Sequence, residues 1–258
     1  MTNKKLVFSL LIFVLGLSSA CKTHWVVLHD KTENKVIILD TINIKQDDAQ
    51  ILEIIKPYKA KIDSEMSEII AYSETNLYKD EPEGLLNNFV ADLIFQKGNE
   101  YLKKEYKTSA SICLLNSGGL RSGLPKGAIT IENVYELMPF ENVLVAIQIS
   151  GNDVKAMMNR IAKKGGMPES GFVMGIKSDT AQNIMIGNSA LDISKNYTII
   201  TSDYLIAGGD DMTCFANAIA TYPLSIKVRD AIIEYLREQT KKNLTINSKL
   251  DKRIYYEK

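Results

Sequence analysis

Asn116-Ser-Gly-Gly-Leu-Arg121 is the string in this chain best suited to holding a ligand. Gly118 and Gly119 lack a Cβ, so the backbone there is free to take positive φ or to let a ligand approach closely. Arg121 projects from the same turn a planar fork of N–H donors. The string follows an apolar run, Ile112-Cys113-Leu114-Leu115, which reads as a short buried strand closed by turn residues. Further on, Pro139-Phe140-Glu141-Asn142 sets a stiffened aromatic ahead of a second strand-like run, Val143 to Ser150. A glycine turn and one arginine have low specificity by themselves. They are groups that bind and orient.

What the chain lacks narrows the chemistry. A dinuclear metallophosphatase centre needs a cluster of His, Asp and Asn ligands, because two divalent ions must activate water and clamp phosphate oxygens. The sequence has 2 histidines, His24 and His29, both ahead of the first expected helix, and no D-x-H or G-N-H-[DE] string. It has no G-x-S-x-G elbow, P-loop or spaced Cys/His set. His24 and His29 read as strand residues rather than ligands. No catalytic residue, metal site or cofactor is expected in this chain.

The order N-x-G-G-x-R, then P-F-x-N, then Tyr204-Leu-Ile-Ala-Gly-Gly-Asp210 resembles the C-terminal domain of the 5'-nucleotidase / UDP-sugar hydrolase family. The matching strings keep close to the family spacing over residues 84 to 225. In that family the C-terminal domain recognises the nucleoside while a separate N-terminal domain holds the metals. The resemblance implies that Phe140 and Tyr204 clamp a base between two π faces. Stacking of this kind is worth ~1–3 kcal/mol per base and tolerates base identity. It implies Asp210 as acceptor for ribose hydroxyls, and Arg121 on the ribose and phosphate side. Asn116 and Asn142 would read the base edge, beside Gly119 of the glycine turn, and Gly171 would offer a backbone contact to the base. The expected ligand is a nucleoside or nucleotide, and divalent metal is expected only in a separate metallophosphatase partner; a stand-alone nucleoside-binding lipoprotein for uptake and a vestigial interaction module are the alternatives.

Each residue also has a plainer reading: Phe140 as core, Tyr204 as a rim residue, Gly-Gly-Asp as a common turn, Arg121 paired to a surface carboxylate, Asn116 capping a turn. Departures from the family pattern bear on phosphate. Asp211 stands where the family has glycine, adding a second carboxylate, and Asn76-Leu-Tyr-Lys-Asp80 carries only Lys79 where the family has arginine. A point charge does not replace a bidentate fork. Tyr204, for the usual Phe, brings a hydroxyl that wants a partner.

The elements that must position these groups are legible in outline. Residues 24–29 and 35–41 flank a polar turn and read as a hairpin. From Asp47, Ile51, Ile55, Tyr58, Ile62, Met66 and Ile69 mark one face of a long helix, with a kink expected at Pro57. A strand follows over 69–77, then a helix carrying Leu86, Phe89, Val90, Leu93, Ile94 and Tyr101. Gly151-Asn152-Asp153 should cap a helix with Val154, Met157, Met158 and Ile161 inside. Strands are expected at 172–176, 184–186 and 197–202, and a last helix packs Val228, Ala231, Ile232, Tyr235 and Leu236. Helices and strands mix without a βαβ rhythm, which gives an α+β class. By resemblance the architecture is mixed sheets with packed helices, preceded by the hairpin and a linker helix. The expected division is 1–20, 21–70 and 71–258.

Composition fits a globular chain: 258 residues, 45% hydrophobic, 24% charged and formally neutral. Neutrality gives no electrostatic ground for a nucleic-acid partner. Lys4-Lys5, the apolar run Leu6 to Leu17 and Ser18-Ser19-Ala20 before Cys21 resemble a bacterial lipoprotein signal. The expectation is export, with acylated Cys21 tying the protein to a bacterial membrane on the periplasmic or cell-surface side. An ordinary cleaved signal is the alternative. For Cys113 and Cys214, a disulfide and two free thiols both stay open.

Overall fold

In the structure, a computed structural model, residues 49–258 are described. Cys21, His24, His29 and the expected hairpin lie outside the described residues. The first described helix, α1 (Ala49–Met66), runs through Pro57 and buries none of its residues. It stops short of Ile69, which instead opens strand β1 (Ile69–Ser73). The strand expected over 69–77 is therefore shorter than its apolar pattern, and Leu77 joins only an isolated bridge to Leu124.

Everything that positions the candidate site hangs on one sheet. Its strands are β2 (Ile112–Leu114), β4 (Val143–Ser150), β5 (Glu169–Ser170), β9 (Asn196–Ser202) and β10 (Ala220–Lys227), in the order β10-β4-β9-β2-β5. Strand side chains alternate between faces, and here the alternation splits the core in two. Cys113, Leu144, Ala146 and Ile200 face helices α2 (Leu85–Tyr106) and α6 (Val228–Lys241). Ile112, Leu114, Val145, Ile147, Ile149 and Ile199 face helix α4 (Gly151–Lys163) and a second sheet. The second sheet joins β6 (Phe172–Lys177), β7 (Thr180–Ile186), β8 (Ser189–Ala190) and β11 (Ile254–Tyr256) in the order β11-β6-β7-β8. This is the mixed α+β architecture expected from the sequence.

Close approach of α2 to the central sheet depends on Gly98, where a Cβ would stand 2.8 Å from the Ile200 side chain. Helix α4 is capped one residue before the expected Gly151-Asn152-Asp153: Ser150 is the N-cap, its Oγ accepting from the Asp153 N–H at 3.2 Å. Strand β3 (Gly127–Thr130), which pairs with β1, and helix α3 (Ile131–Leu137) were not legible as elements. Thr130 and Asn133 close a reciprocal capping box at the start of α3. Cys113 and Cys214 are free, buried thiols in the two different cores, so no disulfide joins them. No described helix is long and apolar enough to cross a membrane.

Candidate functional site

Strand register brings the candidate residues to one end of the central sheet. Strands β4 and β9 are antiparallel, with Leu144 opposite Ser202. Asn142 and Tyr204 lie two residues beyond that pair, on the same side. Strand β2 runs parallel to β9, with Cys113 opposite Ile200, so its exit at Asn116 points the same way. Strand β10 delivers Lys227, opposite Val143, to this end as well.

The glycine turn there is a single 3₁₀ turn, Ser117–Gly119, closed by the Gly119 N–H donating to the Asn116 carbonyl at 3.0 Å. Gly119 is buried, and a Cβ on it would meet the Asn116 side-chain amide at 3.1 Å. The Arg121 N–H donates to the Leu137 carbonyl at 2.9 Å, which fastens this turn to the last turn of α3, just ahead of Phe140. The Arg121 guanidinium sits 5.3 Å from the Phe140 ring centroid, a cation–π distance. Among the described residues it has no carboxylate partner, so the plainer reading of Arg121 as half of a surface ion pair is not what the structure shows. Phe140 is 36% and Tyr204 42% exposed, which sets both rings at the surface rather than in either core. They make no ring contact with each other.

Tyr204 lies on a short helix, α5 (Asp203–Ile206), that leads into the Gly-Gly-Asp turn. Gly209 packs under the Tyr204 ring, where a Cβ would collide with it. Asp210 takes φ 55°, and two cations at the end of α4 hold the turn. Lys164 Nζ donates to Asp210 Oδ1 at 3.0 Å, and Arg160 Nε donates to the Asp210 carbonyl at 2.9 Å. Arg160 also pairs with the Asp211 carboxylate. The extra carboxylate is thus neutralised locally, and the second Asp210 oxygen has no hydrogen-bond partner among the described residues.

Lys79, the lone cation in its segment, reaches the glycine turn instead of standing free. Its Nζ donates to the Leu120 carbonyl at 3.1 Å and lies 3.5 Å from that of Ser117. Behind Phe140, Glu141 receives hydrogen bonds from Lys227 and Arg229, which pull its carboxyl down to about 2. Arg160, Lys164 and Arg229 were not singled out in the sequence. Arg160 and Lys164 share a helix face by their spacing, but partners about fifty positions away leave no local pattern.

Gly171 is the one candidate the structure sets apart. Cys113 stands opposite Ser170 and Leu114 opposite Glu169, so Gly171 lies against Ser111 and Ile112, where β2 begins. Asn116 leaves the other end of β2, on the order of 15 Å away at strand rise. Gly171 has φ 97°, and a Cβ there would run into the Ser111 carbonyl. Among the described residues no group of three or more His, Cys, Asp or Glu stands close enough to hold a metal ion.

A family model described as "5'-nucleotidase, C-terminal domain" matches residues 66–217. The chain belongs to that family. A 5'-nucleotidase of Vibrio parahaemolyticus serotype O3:K6 (strain RIMD 2210633) is 27% identical over 191 residues, covering 70% of this chain and 32% of the relative. The 5'-nucleotidase of Vibrio vulnificus (strain CMCP6) is 26% identical over 213 residues, covering 79% of this chain and 36% of the relative. The chain thus spans about a third of the length of the curated relatives it matches. Among solved structures, the 5'-nucleotidase precursor of Thermus thermophilus aligns with a TM-score of 0.67 at 22% identity, covering 81% of this chain and 43% of that one. The likeness to that structure is one of fold. Within the 5'-nucleotidase C-terminal fold, the convergence of Asn116, Arg121, Phe140, Asn142, Tyr204 and Asp210 follows from how its central sheet is ordered.

Proposed function

We propose that this chain binds a nucleoside or nucleotide at the convergent end of the central sheet and serves as the substrate-binding half of a split nucleotide hydrolase. The observation that carries the reading is Arg121, without a carboxylate partner among the described residues and 5.3 Å from the exposed Phe140 ring, beside Asn116 and on the sheet end that also bears Tyr204. Both rings are exposed and make no contact with each other, as a clamp on a base requires. Asp210, with one oxygen free of Lys164, would accept hydrogen bonds from a ribose diol. The half-buried Asn116 and Asn142 carry amide groups that make no side-chain hydrogen bond among the described residues, and amides supply both donor and acceptor to a base edge.

Phosphoester hydrolysis needs metal-activated water and neutralised phosphate oxygens. In this reading a separately encoded metallophosphatase supplies both, while this chain supplies affinity and orientation. Acylated Cys21 would hold the complex on the outer side of a bacterial membrane, where nucleotides enter catabolism.

The test takes the full chain, purified in detergent, and titrates the four common ribonucleosides and their 5'-monophosphates by calorimetry. Binding is expected, and Phe140→Ala or Tyr204→Ala should weaken it about 5- to 150-fold, the equivalent of ~1–3 kcal/mol of stacking. Wild-type affinity in both variants would refute the clamp. Phosphate release is then followed for this chain, the partner and their mixture, with manganese, zinc or cobalt present. Turnover above background is expected from the mixture and not from this chain, and Arg121→Ala should abolish the gain over the partner alone. Nucleoside binding without such a gain would favour a stand-alone binding lipoprotein that captures nucleosides for uptake.

A further inference from the structure

We propose that Arg229 is the positioning residue for Phe140, fixing the ring's place through the main chain of the Pro-Phe loop. The proposal rests on the nucleoside-binding reading for its functional meaning and on the loop's bonding for its geometry.

Arg229 is the second residue of α6, and its side chain is 5% exposed. One guanidinium nitrogen, Nη1, lies 3.3 Å from the Met138 carbonyl and 3.4 Å from the Phe140 carbonyl. The other, Nη2, pairs with the Glu141 carboxylate. The plane lies 4.2 Å from the Tyr135 ring centroid, so a residue of α3 holds it from a further side. The neighbouring Val228 N–H donates to the Asn142 carbonyl at 2.9 Å. Two consecutive residues of α6 therefore grip the loop at four of its five positions from Met138 to Asn142.

The loop has few other ways of being held. Pro139 has no N–H to give. Phe140 takes part in no hydrogen bond except the one to Arg229 among the described residues. Its ring is 36% exposed, so core packing does not fix it. A planar fork can meet two carbonyls and a carboxylate at once, whereas an ammonium on a flexible stem cannot hold the same three in fixed geometry. Arg229 Nε is also buried without a partner, a cost the site carries to keep the fork in place.

The test uses the full chain in detergent and two kinds of readout. In amide hydrogen exchange, Arg229→Lys should speed exchange of the Val228 N–H, which the loop's Asn142 carbonyl accepts, tenfold or more and leave α2 and α4 unchanged. Unchanged exchange at Val228 overturns the proposal, whether or not nucleosides bind. In calorimetry with the tightest of the eight probes above, Arg229→Lys should weaken binding to nearly the extent of Phe140→Ala. Combined with Phe140→Ala it should add less than twofold, since its effect runs through that ring. An equal loss in both backgrounds overturns the proposal and makes Arg229 a general support of the fold. If the wild type binds none of the probes, the functional reading falls and exchange alone decides the positioning role. Should Arg229→Lys fail to fold, Glu141→Ala replaces it, because that side chain is 62% exposed. It should speed exchange of the Val228 N–H at least threefold, and unchanged exchange there overturns the proposal.

Discussion

Gly171→Ala separates two roles for one residue: a backbone contact to the base, as the resemblance implies, or a place where two strands meet too closely for any side chain. At φ 97° an L side chain is strained, which costs about 1–3 kcal/mol. The new Cβ would also press on the Ser111 carbonyl and the Ile112 Cα. Both are backbone and cannot swing aside, so overpacking adds about 1–3 kcal/mol. The sum, about 2–6 kcal/mol, is a large share of the ~5–15 kcal/mol that holds a typical domain folded. For a domain of this size it lowers Tm by roughly 4–24 °C. Urea unfolding measures the loss. Nucleoside affinity is then measured at a temperature where the variant is still folded, and it should stay within about twofold of wild type, since register puts Gly171 on the order of 15 Å from Asn116. Wild-type stability with weakened binding would refute this reasoning and return Gly171 to the ligand.

Two further outcomes are expected elsewhere in the chain. Glu169 is buried, and among the described residues neither carboxylate oxygen has a partner within hydrogen-bond geometry; burial outweighs the nearby Arg253 and pushes its pKa well above the ordinary carboxylate value. A raised folded pKa gives stability that is complete below the unfolded value near ~4.3 and is lost as pH rises toward the folded one. Glu169→Gln cannot ionise, so its Tm relative to wild type should climb between pH 5 and pH 8, and a pH-independent difference would refute the assignment. Cys21→Ala should release the protein to the soluble fraction or leave its precursor unprocessed, and fractionation with normal membrane association and maturation would count against acylation.

Side-chain periodicity carried most of the secondary structure. Helices α2 and α6 follow from their apolar spacing, and the buried strands β4 and β9 from their apolar runs. Their alternation then settles which residues face which core. The patterns that were weak in sequence belong to β3, β10 and β11. Strand β10 is interrupted by Pro223 and by an irregular register that includes Ser225 at φ 54°. Strand β11 pairs over only three residues, and α3 is shorter than two full amphipathic periods.

By itself the sequence determined the class of the fold and, through the order of Asn116, Arg121, Phe140, Asn142, Tyr204 and Asp210, which groups deserved to be considered together. Only the tertiary structure decided that Gly171 stands apart from them, that Lys79 is spent on the glycine turn, and that Arg229 grips the Pro-Phe loop. The physical reason is that periodicity records which side of an element meets apolar surroundings, a local property repeated along the chain. The neighbour of a strand, or the distant carbonyl a cation bonds, is set by how whole elements pack. Every residue type offers the same carbonyl, so such a partner leaves no mark in the sequence.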